Sequence, residues 1–246
     1  MDEPIFRSKS FSELAGLTVV IPCFKEDEEL VTQTYTELTL LGAEVIVVDD
    51  GGNMDFIDEV NLITYRPHMG YGYAIKEGIK KASNPVICTA DGDGEHRVDD
   101  IVKLYIVFKL ITDCSMLVGC RWNKKESKIR WFGRKVINFL AACWSRHMLP
   151  DLNSGLRIFK RELAIGYSPI LCDTFSFTTS LTMCMVTDNH KVAWFPVDNK
   201  ARAYGKSHVK PIKDGLVTIF YVFWIGFALR TRKLRALFRY IVTLHL

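Results

Sequence analysis

Three carboxylates stand at alternate positions in Thr89-Ala90-Asp91-Gly92-Asp93-Gly94-Glu95-His96, directly after the apolar run Val86-Ile87-Cys88. In an extended segment, residues i, i+2 and i+4 project to one side. Asp91, Asp93 and Glu95 are therefore expected to converge just beyond a buried strand. Carboxylates that close repel one another unless a cation lies between them. An all-oxygen set selects a hard divalent ion, Mg2+ or Mn2+, of the kind that bridges to substrate phosphates. A solvated acidic turn has the same spacing, so the surrounding sequence has to decide.

Other stretches could do chemistry. Asp49-Asp50-Gly51-Gly52 closes the run Glu44 to Val48 and suits a ribose or base hydroxyl beside a tight turn; a plain turn is its bland reading. Arg66-Pro67-His68-Met69-Gly70-Tyr71-Gly72 is a glycine-bearing loop that runs into a helix. It comes too late in the chain, and its third glycine is misplaced, for a dinucleotide fingerprint. Arg121, Lys124, Lys125, Lys128, Arg130, Arg134 and Lys135 form a basic run interleaved with Trp122, Trp131 and Phe132. Most of these side chains read as a solvated face. Arg202-Ala203-Tyr204-Gly205-Lys206-Ser207-His208 is a basic loop whose backbone N–H groups and cations suit phosphates.

The elements that must position these residues alternate. Leu17–Ile21, Glu44–Val48, Asn61–Tyr65, Pro85–Ala90 and Ser115–Cys120 read as short strands. Lys25–Leu41, the segment ending near Ala82, and Asp99–Leu110 read as helices between them. This alternation predicts an α/β fold with a mostly parallel central sheet and helices on both faces. Ligands of such sheets bind beyond the carboxyl ends of the strands, so one site could use both acidic clusters. Further on, a helix is expected up to about Met148, a loop from Asp151 into a short strand, a helix over Cys172–Asp188 and a strand over Lys191–Val197.

At 246 residues, 48% hydrophobic and 24% charged, the composition is that of an ordinary globular chain. Seven scattered cysteines without zinc spacing read as free thiols of a reducing compartment, and the polar stretch Met1–Leu14 does not read as a signal peptide. Charge is uneven. Residues 200–246 hold ten Lys/Arg against one acid, Asp214, whereas residues 1–199 hold 22 basic and 27 acidic residues. The basic end is also the most apolar, which favours an anionic membrane surface over nucleic acid. Leu216–Leu229 is free of charge, but Asp214 and Arg230 bracket it tightly for a span of about 20 residues. Two helices lying in the membrane interface are expected, with arginines at the headgroups; a pair of core helices is the alternative.

Taken in order, Val20-Ile-Pro22-Cys-Phe24-Lys-Glu26, Val47-Val-Asp49-Asp50-Gly51, Asp91-x-Asp93, Ser154-Gly155-x-Arg157 and Arg202-x-x-Gly205-x-Ser207 resemble the family 2 glycosyltransferases of the GT-A nucleotide-diphospho-sugar transferase fold. Within that family they most resemble the dolichyl-phosphate mannosyltransferase and polyprenyl-phosphate glycosyltransferase branch. The resemblance covers about residues 17–212, and its specificity lies in five motifs in order rather than in any one. It implies residues 1–16 as an N-terminal extension, 17–211 as the catalytic domain and 212–246 as membrane-associating helices. It implies a nucleotide-sugar pocket of Pro22, Phe24, Glu26, Asp49, Asp50, Gly72, Asp91, Arg202, Lys206 and Ser207. Asp93 would hold the metal, joined by Asp91 and Glu95. Arg121, Arg130, Arg134 and Ser154 would bind the acceptor phosphate. Catalysis would rest on Asp93, Asp91 and Arg202. The chain departs from the family pattern at Lys25, His68, Gly92, Trp194 and His208.

The activity implied is inverting transfer of a hexose from GDP-mannose or UDP-glucose to a polyprenyl or dolichyl phosphate, at the cytoplasmic face of a membrane, with a membrane partner subunit or a second copy as a possible companion. Family members that glycosylate hydroxyls carry an acidic pair before a helix in the second half. Here Asp173-Thr174 is the nearest candidate and lacks the neighbouring Glu. A phosphate acceptor is already ionised and needs no base. Two alternatives stand beside this reading: the same fold acting on a hydroxyl of a glycan or lipid, and a catalytically silent scaffold, against which the retention of Asp91 and Asp93 argues.

Overall fold

The computed structural model describes residues 13–51, 54, 61–121, 128–145, 149–198 and 211–244, with the backbone alone at 128–130, 132, 211–212 and 232–244. In chain order the elements are β1 (Leu17–Cys23), α1 (Glu28–Leu40), β2 (Glu44–Asp49), β3 (Leu62–Thr64), α2 (Tyr71–Lys81), β4 (Val86–Thr89), α3 (Val98–Leu110), β5 (Cys114–Arg121), α4 (Lys128–Ser145), β6 (Arg157–Lys160), α5 (Arg161–Tyr167), α6 (Phe177–Thr187), β7 (Lys191–Val197) and α7 (Pro211–Leu244).

The strands form one sheet of order β3-β2-β1-β4-β6-β5-β7. β1 pairs in parallel with β2 and β4, β2 with β3, and β5 with β7, while β6 runs antiparallel between β4 and β5. β1 is buried along its whole length, as its β-branched run requires of a central parallel strand. Alternation sorts its side chains: Val20 joins Ile46 and Val48 in the core under α2, α6 and α7, and Val19 and Ile21 join Val45 and Val47 in the core under α1 and α3. α1 starts where Asp27 accepts a hydrogen bond from the Leu30 N–H at 3.0 Å, with Glu28 and Glu29 in its first turn.

Two expectations are corrected. The helix expected over Cys172–Asp188 begins only at Phe177, because Cys172 to Ser176 form a turn that carries the backbone past α2. The pair of C-terminal helices is one unbroken helix, α7, of 34 residues; nothing in Arg230-Thr231-Arg232-Lys233 breaks a helix. Its stretch Lys213–Thr231 is long and apolar enough to cross a membrane by length and composition. One face of α7 packs Thr218, Val222, Ile225 and Leu229 into the core. There Ser176 Oγ and Thr218 Oγ1 share a hydrogen bond of 2.8 Å, and the Arg230 guanidinium lies 4.8 Å from the Trp144 ring centroid. The opposite face leaves Leu216, Phe220, Phe223, Trp224 and Phe227 exposed.

Candidate active site

β1 and β2 end level with one another, while β4 ends earlier, with Thr89 in register with Val20, and the turn carrying Asp91 and Asp93 continues from it. Cys23 stands in register with Asp49, the Asp50 N–H donates to the Cys23 carbonyl at 2.9 Å, and the Ala90 N–H donates to the Val20 carbonyl at 3.2 Å. β1 leads to β2 on one side and β4 lies on its other side, so these ends meet where the strand order reverses, the point at which open α/β sheets leave a crevice. A cleft of about 290 Å³ lies there, lined by Pro22, Cys23, Phe24, Glu26, Asp50, His68, Gly70, Tyr71, Ala74, Asp91, Gly92 and Asp93 from the strand ends and α2. Thr174 and Phe175, together with Lys213 and Asp214 of α7, close it from the far side.

Both residues of the Asp49-Asp50 pair are tied to the protein's own backbone. Asp49 is 1% exposed and accepts from the N–H groups of Gly51 and Met54, each at 3.0 Å; it shapes the turn. Asp50 accepts from the Met69 N–H at 2.6 Å and the Gly70 N–H at 2.7 Å, and His68 Nδ1 lies 2.6 Å from its Oδ2. His68 in turn stacks on Phe24, ring centroids 4.1 Å apart. Both rings line the cleft, so the pair forms an aromatic wall of it.

Asp91 and Asp93 follow β4 in a turn rather than an extended strand. The alternate-residue argument therefore does not describe the geometry: Asp91 and Asp93 line the cleft, and Glu95 does not. Asp93 is buried, and its Oδ1 accepts from the Glu95 N–H at 3.0 Å. Asp91 Oδ1 accepts from the Tyr71 hydroxyl at 2.9 Å, and the Asp91 N–H donates to His96 Nδ1 at 2.9 Å. Burial, then the charges of Glu26, Asp49, Asp91 and Asp93, hold the Cys23 thiol well above its ordinary range. These carboxylates thus create a negative potential at the cleft floor. Among the described residues no three His, Cys, Asp or Glu side chains form a ready metal cage. One buried and one half-exposed carboxylate beside an open cleft fit a hard cation that takes its other oxygens from a ligand.

Of the expected acceptor residues, Arg121 is half-buried and paired with Asp151 through Nε at 2.9 Å and Nη2 at 3.0 Å. That contact, with the Asn153 N–H donating to Asp151, holds the Asp151 carboxyl below its usual range despite burial. Arg121 Nη1 has no partner among the described residues. Ser154 is wholly buried, its hydroxyl without a partner among the described residues. Arg157 is fully buried and pins the same loop, donating to the carbonyls of Leu152, Ser154 and Thr178 and to Thr182 Oγ1; burial lowers its pKa to about 10, so it remains a cation at neutral pH. Arg134 lies on α4. Gly72 does not line the cleft. It is buried where α2 crosses the Cys172–Asp173 backbone, and a Cβ there would stand 2.8 Å from Phe177 Cβ. Asp173, the nearest candidate for the acidic pair, is ion-paired with Lys76 and opens on a second cleft beside Phe220 and Trp224. The Arg130 side chain and the loop holding Arg202, Gly205, Lys206, Ser207 and His208 lie outside the described residues, as do Gly52, Trp122, Lys124 and Lys125 and the side chains of Lys128 and Phe132. Sequence reasoning missed Tyr71, His96, Phe175, Lys213 and Asp214 as cleft or second-layer residues, and no spacing in the chain marks them.

Residues 18–167 match the family described as glycosyl transferase family 2. A protein of Methanocaldococcus jannaschii is 32% identical over 59% of this chain and 65% of its own length. A Mycobacterium tuberculosis protein described as an uncharacterized glycosyltransferase is 24% identical over 85% of this chain and 96% of its own. The undecaprenyl-phosphate 4-deoxy-4-formamido-L-arabinose transferase of Pectobacterium atrosepticum is 26% identical over 68% of this chain. The chain spans only 58% of that enzyme. Among solved structures, glucosyl-3-phosphoglycerate synthase from Mycobacterium tuberculosis, in complex with Mn2+, UDP-glucose and phosphoglyceric acid, superposes with a TM-score of 0.64 at 15% identity, covering 85% of this chain and 79% of that one. The fold is the GT-A fold expected.

Proposed function

The chain belongs to glycosyl transferase family 2, and we propose that it transfers a hexose, with inversion, from GDP-mannose or UDP-glucose to a polyprenyl or dolichyl phosphate at the cytoplasmic surface of a membrane. The observation that carries this reading is the cleft itself, lined both by Asp91 and Asp93 after β4 and by the stacked rings of Phe24 and His68. The aromatic wall suits a nucleobase, and the carboxylates suit a cation on the diphosphate. Asp93, with Asp91, would hold Mg2+ or Mn2+, which when bound neutralises charge on the departing nucleoside diphosphate. Glu95 and Arg202 are assigned to the same task by family resemblance. Arg121, oriented by Asp151, would offer its remaining donors to the acceptor phosphate, with Arg130, Arg134 and Ser154 beside it. The ion pair of Asp173 with Lys76, away from the cleft, favours an acceptor that needs no base. The exposed apolar face of α7, followed by Arg230, Arg232, Lys233, Arg235 and Arg239, would rest on an anionic bilayer. The domain is read as residues 17–211, with 212–246 serving this attachment.

A second reading, transfer to a hydroxyl, is favoured by one feature: Asp214 lines the cleft and could serve as a base. A panel of GDP- and UDP-sugars with Mg2+ or Mn2+ and a short-chain polyprenyl phosphate separates the two. Sugar should appear on the lipid phosphate, and both EDTA and Asp93→Ala should abolish it. Transfer to sugar hydroxyls in place of lipid phosphate, lost in Asp214→Asn, would overturn the first reading; transfer that survives EDTA would remove the metal from it.

A further inference from the structure

The acidic clusters after β2 and β4 are joined by a side chain that belongs to neither. Asp50 fixes the N–H groups of Met69 and Gly70. The next residue, Tyr71, begins α2 and donates its hydroxyl to Asp91 Oδ1 at 2.9 Å. We propose that Tyr71 is a positioning residue for Asp91, through which the loop anchored by Asp50 sets the orientation of the carboxylate facing the donor nucleotide. The inference rests on the proposed function of the cleft.

Four observations make Tyr71 a fixed strut rather than a chance contact. Its backbone cannot drift: Gly72 is pressed against the Cys172–Asp173 backbone, and the Tyr73 N–H donates to the Asp173 carbonyl at 2.9 Å. Its ring cannot turn freely, because it stacks on Phe175 with centroids 5.3 Å apart and planes 4° from parallel. Its hydroxyl is the donor, and Asp91 Oδ1 the acceptor, of a 2.9 Å hydrogen bond. Lastly, among the described residues the other carboxylate oxygen accepts no hydrogen bond of the same kind. His96 accepts from the Asp91 N–H through Nδ1, which leaves its proton on Nε2, and that nitrogen is 4.0 Å from Asp91 Oδ2, outside hydrogen-bond range. Tyr71 thus fixes the carboxylate through Oδ1, while Oδ2 packs beside Gly155.

The test compares Tyr71→Phe with Asp91→Asn in the 246-residue protein, reading Mn2+-dependent binding of UDP and GDP, donor KM and kcat, and thermal stability. Tyr71→Phe keeps the ring and its stack and removes only the hydroxyl. It should fold with a near-native midpoint, raise donor KM and weaken nucleotide binding about fivefold to tenfold, and leave acceptor KM unchanged. Phe175→Leu, which loosens the ring but keeps the hydroxyl, should move the same two quantities in the same direction by less. Wild-type donor KM and nucleotide binding in Tyr71→Phe, with both lost in Asp91→Asn, overturns the positioning role and leaves the cleft assignment standing. If Asp91→Asn itself binds nucleotide normally, the cleft assignment fails and the role of Tyr71 falls with it. Should Tyr71→Phe not fold, wild-type donor KM in Phe175→Leu overturns the proposal.

Discussion

Gly155 is where the loop that follows Asp151 meets Asp91 at the cleft. A Cβ at this position would lie 2.5 Å from Asp91 Oδ2 and 2.8 Å from Oδ1. The neighbouring contact, in which Thr89 Oγ1 donates to the Gly155 carbonyl at 2.6 Å, prevents the loop from backing away. Gly155→Ala must therefore displace the carboxylate rather than the backbone. Its expected outcome is a transfer rate reduced at least tenfold, about 1.4 kcal/mol in the barrier, with a melting midpoint within a few degrees of the parent; paired activity and calorimetry measurements check it. At this scale the sequence was legible where a residue type and the end of a buried strand together place a side chain, as they place Asp91 and Asp93 at the cleft. It was not legible where the chemistry depends on a distant partner. Tyr71 and Asp91 are 20 positions apart and Arg121 and Asp151 are 30 apart, and only the strand order brings them together. Arg157 shows the same limit. Its motif was readable, yet its task of satisfying three backbone carbonyls from a buried site is visible only once the loop is folded.

Among the elements, the buried parallel strands were readable because a strand covered on both faces is a continuous apolar run, and β1, β2, β4 and β5 fall within a residue or two of their expected limits. The direction of β6 was not, since Arg157-Ile158-Phe159-Lys160 has the same composition whichever way it runs. α7 was misread as two helices because charge pattern was taken for a break, whereas arginine and lysine are good helix formers. Its two faces make opposite predictions. Ile225→Ala, on the buried face, should cost about 2–4 kcal/mol of stability by leaving a cavity, measured by denaturant unfolding. Replacing Leu216, Phe220 and Phe227 together by serine should leave stability nearly unchanged. It should also reduce cosedimentation with vesicles of phosphatidylcholine and phosphatidylglycerol by an order of magnitude or about that. Equal vesicle binding by the triple variant and the parent would show that this face does not meet lipid.

For the whole molecule, two cores on the two faces of one sheet account for the hydrophobic composition and for the cysteines. Cys23, Cys88, Cys114, Cys120, Cys172 and Cys184 are buried free thiols, and Cys143 on α4 is the exposed one. Burial also raises the pKa of Cys88, Cys114 and Cys120, so these thiols are inert as well as hidden. A native titration with a thiol-specific reagent should label Cys143 quickly and the other six only after denaturation, and Cys143→Ser should abolish the fast phase. The free-thiol expectation was open to sequence because no cysteine spacing suggested a bridge or a metal site. The order of strands was not, because the insertion of β6 between β4 and β5 leaves no local trace.

That insertion has a consequence for how the chain emerges during synthesis. β4 carries the turn that holds Asp91 and Asp93, and its far edge is closed only by β6, with Val86 in register with Lys160. About 70 residues must follow β4 before its partner exists, roughly 4–14 s of translation at ordinary rates. During that interval Val86–Thr89 presents an unpaired ladder of N–H and C=O groups on an otherwise finished parallel half-sheet. An open edge of that kind recruits strands from other chains, so the nascent protein is most prone to aggregate just as the strand bearing its principal acids is in place and the one that shields it is still being made.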